Sequence, residues 1–338
     1  MNFTENLNKI IKQQDLNQDE MSSMFMEIFA GNITDSQIGA FMAALATKGE
    51  TFEELAGAAR TMRRKAVRIQ TTSNNVVDTC GTGGDSTGTF NISTTTAFVV
   101  AGCGVTVAKH GNRSISSKCG SADLLEELGV KIDTDPEIVE EAVNEIGIGF
   151  LFAPKFHGSM RHAAKARTDV GIRSIFNMLG PLTNPAAAKH QLIGVYAPEL
   201  TEMFAQTLKL LGTKRAFVVH GHDGMDEITT TAPTRVTELN NGVIKSYDFD
   251  PMDFFQSYAD PKDIKGKDKN VNAEITKSIL KGEKGPKRNI VLINASAALV
   301  AAEKASDIAS GIKMAEESID SGEANQKLKS LAEFTQDN

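Results

Sequence analysis

Apolar residues recur every three or four positions through residues 1–70, which is the spacing of amphipathic helices. The pattern predicts four short helices that form a small helical module. Thr34 begins the third helix, and Thr51 and Glu54 form a capping box for a fourth helix that runs to about Lys65. The predicted inward-facing residues are Leu7, Ile10 and Ile11 in the first helix, Met24, Phe25, Ile28 and Phe29 in the second, and Ile38, Phe41, Met42 and Leu45 in the third.

From about Asn75 the pattern changes to short apolar runs that alternate with helical segments, which predicts a mainly parallel sheet covered on both faces. The predicted strands are 76–77, 105–108, 148–152, 191–196, 215–220 and 290–294. The predicted helices are 93–101, 121–128, 136–146 and 199–211, with Ala-rich helices from residue 296 onward.

Two segments interrupt this alternation. Residues 161–177 read as a helix without a companion strand, and we expect that helix to pack on the N-terminal helices. Residues 229–249 alternate in polarity around Asn240, Asn241 and Gly242, which is typical of a hairpin.

The fold class expected is α/β: a small discontinuous N-terminal helical domain plus a larger α/β domain with a mainly parallel central sheet flanked by helices. The helical domain is predicted to comprise residues 1–72 joined by about 160–188, and the larger domain residues 73–159 and 189–338.

Composition excludes several classes of protein. The chain has 338 residues, of which 41% are hydrophobic and 23% charged, and a net charge of −7. That charge disfavours general binding to nucleic acid or membranes. Cys80, Cys103 and Cys119 lack the spacing of disulfide or zinc frameworks. The first residues resemble no targeting signal, so we expect a cytoplasmic protein.

A glycine turn follows the first predicted strand and precedes a helix. Gly81, Gly83 and Gly84 lead to Asp85, in the position where α/β proteins bind phosphates. The spacing matches neither the Walker A nor the Rossmann motif. A tight connection that binds no ligand is the alternative.

Two further stretches are rich in groups that bind anions. Residues 89–96 place several hydroxyl and amide side chains at a helix N-terminus, more than capping requires. Residues 109–118 place Lys109, Arg113 and Lys118 around Gly111, directly after a strand, in an otherwise acidic protein. This concentration of positive charge favours a focused anion site over a solvated basic loop.

Candidate metal ligands follow another strand. Asp226 and Glu227 are adjacent hard oxygen donors suited to Mg²⁺. His220 and His222 leave a transition-metal site as an alternative, and an acidic turn without any metal is another. Elsewhere, Arg167 could pair with a substrate carboxylate.

Together these motifs resemble the anthranilate phosphoribosyltransferase family over nearly the whole chain. The resemblance extends from residues 35–41 and 48–54 through residues 171–185 to Asp226 and Glu227, and residues 81–85, 109–113 and 116–123 are its most specific part. Pyrimidine nucleoside phosphorylases share the architecture and a similar Lys-His-Gly turn. Their usual Gly-Gly-Arg is replaced here by Gly111, Asn112 and Arg113, which favours the transferase.

The resemblance implies transfer of the 5-phosphoribosyl group from 5-phosphoribosyl 1-diphosphate (PRPP) to anthranilate in tryptophan biosynthesis, by a homodimer formed through the helical domain. It implies that PRPP is bound by Gly81, Gly84, Asp85, Thr89, Asn91, Ser93, Thr94, Lys109, His110, Gly111, Asn112, Arg113, Ser114, Ile115, Ser116, Ser117 and Ser121. Two Mg²⁺ ions per subunit would be held at Ser93, Asp226 and Glu227. Anthranilate would contact Gly81, Asn112, His157 and Arg167, and the catalytic set is Lys109, Asn112 and Arg167.

One departure from the family concerns His157, which is placed at the start of the helix that carries Arg167. The family usually has Pro-Ala after this histidine, and Gly158 and Ser159 follow it here, which loosens that connection. No general base is assigned, and His110 is the candidate proton acceptor. Nucleoside phosphorolysis and a non-catalytic regulatory role are the alternative functions.

Overall fold

Four helices with capped N-termini open the chain. The computed structural model describes residues 2–85, 87–114 and 119–338, beginning with α1 (Phe3–Ile11), α2 (Gln18–Phe29), α3 (Asp35–Lys48) and α4 (Phe52–Lys65). The Thr51 side chain accepts the N–H of Glu54, which confirms the predicted capping box. Ile11 was wrongly predicted to face inward. It is 57% exposed, because it lies about 100° around the helix from the buried Ile10.

A seven-stranded sheet forms the centre of the larger domain. Its strands are β1 (Val77–Gly81), β2 (Val107–Gly111), β3 (Ile148–Phe152), β4 (His190–Gly194), β5 (Arg215–Gly221), β6 (Thr234–Asn240) and β7 (Val243–Phe249), in the order β3-β2-β1-β4-β5-β6-β7. Strands β1 to β5 are mutually parallel, whereas β6 is antiparallel to β5 and β7 is antiparallel to β6. The mainly parallel sheet is confirmed. So is the hairpin, whose turn residues Asn241 and Gly242 have φ values of 47° and 83°.

Helices cover both faces of this sheet. The helices that follow α4 in the chain are α5 (Ile92–Gly102), α6 (Ser121–Glu127), α7 (Pro136–Glu145), α8 (Ala153–Phe156), α9 (Arg161–Val170), α10 (Ile175–Leu179), α11 (Leu200–Leu210), α12 (Lys269–Leu280), α13 (Pro286–Ala301), α14 (Ile308–Asp320) and α15 (Glu323–Asp337). Of these, α9 and α10 pack on the N-terminal helices. On β5, Phe217 and Val219 join the core containing α5 and α13, whereas Ala216 and Val218 join the core containing α11 and the N-terminal helices. Within the described ranges, no helix has the length and apolar character needed to cross a membrane.

The predicted strand at 290–294 is wrong, because these residues belong to α13. An apolar run of this length is compatible with either a buried strand or a buried helix. Here the run continues into Ala295–Ala301, and every residue from Ile290 to Ala301 is buried, as expected of a helix enclosed on all sides.

The predicted helix at 161–177 is two helices. Gly171 adopts a left-handed conformation (φ 64°) and ends α9 before α10 begins. Both helices pack on the N-terminal module, and the rings of Phe25 and Phe176 lie 5.4 Å apart. The helical domain is therefore discontinuous, as expected, while its boundaries at residues 72, 160 and 188 stay predictions.

The topology brings four strand ends to one edge of the sheet. β1, β2, β4 and β5 are parallel, and they end at Gly81, Gly111, Gly194 and Gly221. β1 lies between β2 and β4, where the strand order reverses. In open α/β sheets, ligands bind beyond the carboxyl ends of the strands at such a point.

Candidate active site

The glycine turn after β1 closes onto Asp226. The N–H of Gly83 donates to Oδ2 of Asp226 at 2.9 Å. A Cβ atom at Gly81 would lie 2.6 Å from the same oxygen, so this close approach requires glycine. Two motifs that sequence reasoning assigned to one ligand are thus in direct contact.

Asp226 and Glu227 form a half-buried acidic pair beside the N-terminus of α5. Oε1 of Glu227 accepts the N–H of Ser93 at 3.1 Å. Burial and the charge of Asp85 raise the pKa of Asp226 to about 7. Burial and the charge of Asp226 raise the pKa of Glu227. In both cases burial is the larger cause and the neighbouring negative charge adds to it.

The donor set of the acidic pair fits Mg²⁺. Two carboxylates with the neighbouring Ser93 hydroxyl offer the oxygen ligands that this ion prefers. Among the described residues there is no cluster of three or more His, Cys, Asp or Glu side chains that could hold a metal. In proteins, Mg²⁺ is often bound by one or two carboxylates together with substrate phosphates.

Lys109 lies in β2, whereas sequence reasoning placed it in a turn after the strand. Its side chain is buried, and Nζ donates to the carbonyl of Thr79 at 2.5 Å and to Oγ of Ser93 at 3.4 Å. Burial lowers the pKa of Lys109, while the charge of Asp78 opposes that shift. Ser93 thus lies between a cation and the carboxylate of Glu227.

Asp78, a buried carboxylate in β1, was not among the predicted site residues. Oδ1 accepts the N–H of His110 at 3.1 Å, and Oδ2 accepts Nδ2 of Asn184 at 2.8 Å. Nδ2 of Asn184 also donates to the carbonyl of Ala108 at 2.7 Å. The network fixes β1, β2 and the chain after α10 relative to one another. Its signal in the sequence is an Asp within an apolar strand.

His157 follows α8 and precedes a short turn at Gly158–Met160, so its predicted position at the start of a longer helix is wrong. Its ring lies 5.1 Å from that of His110. Burial and the neighbouring His110 lower the pKa of His157 to about 3. Burial also lowers the pKa of His110, which makes its protonated form costly. The pair therefore presents two neutral rings at neutral pH.

Arg167 lies on α9 with its guanidinium over the ring of Phe176, 5.5 Å from the ring centroid. Burial lowers its pKa. In the described part of the chain, the guanidinium makes no ion pair. A half-buried cation of this kind suits the carboxylate of a ligand.

Arg113 is already paired. Its guanidinium lies 2.9 Å from Asp123 and 2.7 Å from Glu126, both on α6. Ser121 begins α6, and its hydroxyl donates to the carbonyl of Asn112 at 3.1 Å. Ser114 donates its N–H to Asp123 at 3.4 Å. The remaining predicted members of this loop, Ile115, Ser116 and Ser117, lie outside the described residues.

The polar segment before α5 is partly structural. Nδ2 of Asn91 donates to the carbonyl of Cys119 at 3.0 Å, and Oδ1 accepts Nδ2 of Asn272 at 3.0 Å, which ties α5 to α12. Thr89 pairs with Lys265 in an isolated bridge. The buried Thr94 hydroxyl has no hydrogen-bond partner among the described residues.

Arg173 connects the helical domain to the glycine turn, a role that its sequence context did not reveal. Nη2 donates to the carbonyl of Gly84 at 2.9 Å. The guanidinium lies 4.0 Å from the ring centroid of Tyr196, and the N–H of Tyr196 donates to the Thr82 hydroxyl at 3.1 Å. The segment between α9 and α10 therefore contacts the predicted phosphate-binding turn.

Comparisons with known proteins agree on one group of enzymes. Residues 73–325 match the glycosyl transferase family a/b domain, and residues 4–66 match the helical bundle domain of the same family. The anthranilate phosphoribosyltransferase of Desulfosudis oleivorans is 65% identical, with 99% of each chain covered.

Solved structures give the same result. The crystal structure of anthranilate phosphoribosyltransferase from Thermus thermophilus has a TM-score of 0.93 at 40% identity, covering 98% of this chain and 99% of that one. The Saccharomyces cerevisiae enzyme in complex with PRPP and Mg has a TM-score of 0.91 at 26% identity, covering 99% and 98%. The yeast enzyme has also been solved in complex with 4-fluoroanthranilate.

Proposed function

This chain belongs to the anthranilate phosphoribosyltransferase family, and we propose that it transfers the 5-phosphoribosyl group of PRPP to the amine of anthranilate, a step of tryptophan biosynthesis. The family match over nearly the full length supports the reaction. The observation that carries it is the contact between Gly83 and Asp226. Through it, a phosphate-binding turn and a metal-binding acidic pair share one edge of the sheet.

The departing diphosphate needs positive charge, and Lys109 provides it. Its ammonium is held beside Ser93 in a buried environment, where a charge acts more strongly than in water. Electrostatic stabilisation directed at developing charge is a large source of catalysis. We assign Lys109 this role. Gly81, Gly84, Asp85 and residues 110–114 would bind the rest of PRPP.

Ser93, Asp226 and Glu227 would hold Mg²⁺, as two ions per subunit. The bound metal supplies charge that neutralises the diphosphate as it leaves. The yeast relative solved with PRPP and Mg supports the identity of the ion. Two adjacent carboxylates repel each other when both are ionised, and a cation bound between them would remove that repulsion.

Anthranilate would bind with its carboxylate at Arg167 and its ring near His157, Asn112 and Gly81. The arginine has no competing carboxylate within the described ranges, and the neutral ring of His157 suits an aromatic neighbour. The aromatic amine of anthranilate is neutral at pH 7, so no base has to remove a proton before attack. The residues described provide orientation, and catalysis through proximity follows from that.

The remaining expectations concern assembly and location. A homodimer formed through the helical domain, a cytoplasmic location, and domain boundaries at residues 72, 160 and 188 are part of the proposal. The match of residues 4–66 to a separate helical bundle domain supports the division into domains.

The experiment is incubation with anthranilate, PRPP and Mg²⁺ while anthranilate fluorescence is recorded. Loss of fluorescence that requires both PRPP and Mg²⁺ supports the proposal. Cleavage of thymidine or uridine with inorganic phosphate, without loss of anthranilate, would assign the chain to phosphorolysis instead. Inactivity in both assays would favour the regulatory alternative.

A further inference from the structure

Asn294 joins α13 to the residue that follows the acidic pair. Its side chain is fully buried. Oδ1 accepts the N–H of Ile228 at 3.0 Å, and Nδ2 donates to the carbonyl of Ile228 at 2.8 Å. The second Nδ2 hydrogen goes to the carbonyl of Ile290 at 2.8 Å, within α13. One amide therefore pairs both backbone polar groups of Ile228 and is itself anchored to its helix.

Among the described residues, no strand pairs with the backbone around Ile228. Residues 222–233 form turns and irregular structure between β5 and β6. Ile228 is 2% exposed, and buried backbone groups need hydrogen-bond partners. The amide of Asn294 takes the place of an adjacent strand, which accounts for a polar residue in an otherwise apolar helix.

The opposite side of the acidic pair is confined by β4. A Cβ atom at Gly194 would lie 1.5 Å from the carbonyl oxygen of Asp226, so the two backbones are in direct contact. Asp226 and Glu227 are thus fixed between β4 and α13. Two adjacent carboxylates repel each other when both are ionised, so external contacts are needed to keep them in place.

We propose that Asn294 is a positioning residue, which acts through Ile228 to hold Asp226 and Glu227 in the geometry that binds a divalent cation. The inference rests on the proposed function only in assigning the metal to this pair. Within the described part of the chain, the hydrogen bonds of Asn294 go to backbone atoms of Ile228 and Ile290, so its effect on the metal would be indirect. Residues that orient metal ligands without contacting the metal themselves typically lower metal affinity by about 10- to 100-fold when they are removed.

The test is Mn²⁺ binding in the presence of PRPP, followed by electron paramagnetic resonance, with the full chain and the Asn294→Ala variant. We expect the dissociation constant for Mn²⁺ to rise about tenfold or more. The Mg²⁺ concentration for half-maximal transfer should rise in parallel, while KM for anthranilate stays near that of the wild type.

Ser296→Ala is the matched control. Ser296 lies on the same helix, is equally buried, and donates to the carbonyl of Ile308 at 2.7 Å, away from the acidic pair. If Asn294→Ala does not fold, Asn294→Ser replaces it with the same expectation. Unchanged Mn²⁺ affinity in a folded Asn294 variant, or equal weakening in Ser296→Ala, overturns the inference.

Failure of the proposed function gives a different result. Wild-type protein that binds Mn²⁺ with PRPP but leaves anthranilate unchanged would refute the transfer reaction and leave the role of Asn294 intact. Wild-type protein that transfers normally, beside an Asn294 variant with normal Mn²⁺ affinity, would refute only the inference.

Discussion

The N–H of Gly83 donates a 2.9 Å hydrogen bond to Oδ2 of Asp226, across 143 positions of sequence. A donor of the glycine turn is therefore engaged by a carboxylate instead of being free for phosphate. A cation bound at Asp226 would compete for the same oxygen and would free this donor for phosphate. We therefore expect Mg²⁺ and PRPP to bind cooperatively.

Asp226→Asn should lower kcat/KM for PRPP by about 100-fold, because it removes the charge of a proposed metal ligand while keeping the size of the side chain. Initial rates measured across Mg²⁺ concentrations check this. Asp248→Asn is the control, since Asp248 is exposed and pairs with Arg235. Similar rates for the two variants would remove Asp226 from the metal site.

Lys109→Met should lower kcat by about 100-fold, because the leaving diphosphate loses a buried positive charge. KM for anthranilate should stay close to the wild-type value, since the lost charge acts on the other substrate. Steady-state kinetics in both substrates check this. Lys277→Met, which removes a partly exposed cation from α12, should have no effect. An unchanged kcat in Lys109→Met would contradict the proposed role.

Arg167→Ala should raise KM for anthranilate about tenfold or more, because a charge-assisted contact with the substrate carboxylate is lost. KM for PRPP should change far less. Lys165→Ala on the same helix is the control, because Lys165 is exposed and pairs with Asp169. Equal increases in both KM values would show that Arg167 does not bind the anthranilate carboxylate.

Stability should fall as the pH drops below about 6.5. Burial lowers the pKa of His157 to about 3 in the folded protein, so at pH 5 the unfolded chain binds a proton that the folded chain does not. The contribution of neutral His157 to the free energy of unfolding is fully present above pH 6.5. Between pH 6.5 and pH 3 it declines by about 1 kcal/mol per pH unit.

The His157→Phe variant keeps an aromatic ring and removes the titration. Urea unfolding at pH 7 and pH 5 should show a smaller loss of stability in this variant than in the wild type. His222→Gln, at an exposed histidine, should behave like the wild type. If His157→Phe loses as much stability between pH 7 and pH 5 as the wild type, His157 is not the source of the pH dependence.

Much of the fold was predictable because its signals are local. The N-terminal helices follow from apolar spacing and from caps such as Thr51, and the hairpin follows from Asn241 and Gly242. The run at 290–294 failed because a short apolar segment has no periodicity that separates a strand from a helix. The segment forms a helix that is buried on all sides, and such burial is a property of the tertiary structure that a short stretch of sequence does not reveal.

The candidate site was predictable only in its chemistry. Gly81 and Asp226 carry phosphate-binding and metal-binding signals that can be read from residue type and position. The supporting contacts are not local: Asn294 reaches Ile228 across 66 positions, and Asn184 reaches Asp78 across 106. The ion pair between Arg113 and Glu126 was not predictable either, because it depends on where α6 packs.

The most direct test of the central claim is simultaneous measurement of anthranilate consumed and diphosphate released. If the edge of the sheet beside Gly83 and Asp226 transfers phosphoribosyl groups, the two amounts should be equal at every time point. Both should fall to background when Mg²⁺ is chelated. Diphosphate released without anthranilate consumption, or no release with both substrates and Mg²⁺ present, would contradict the account.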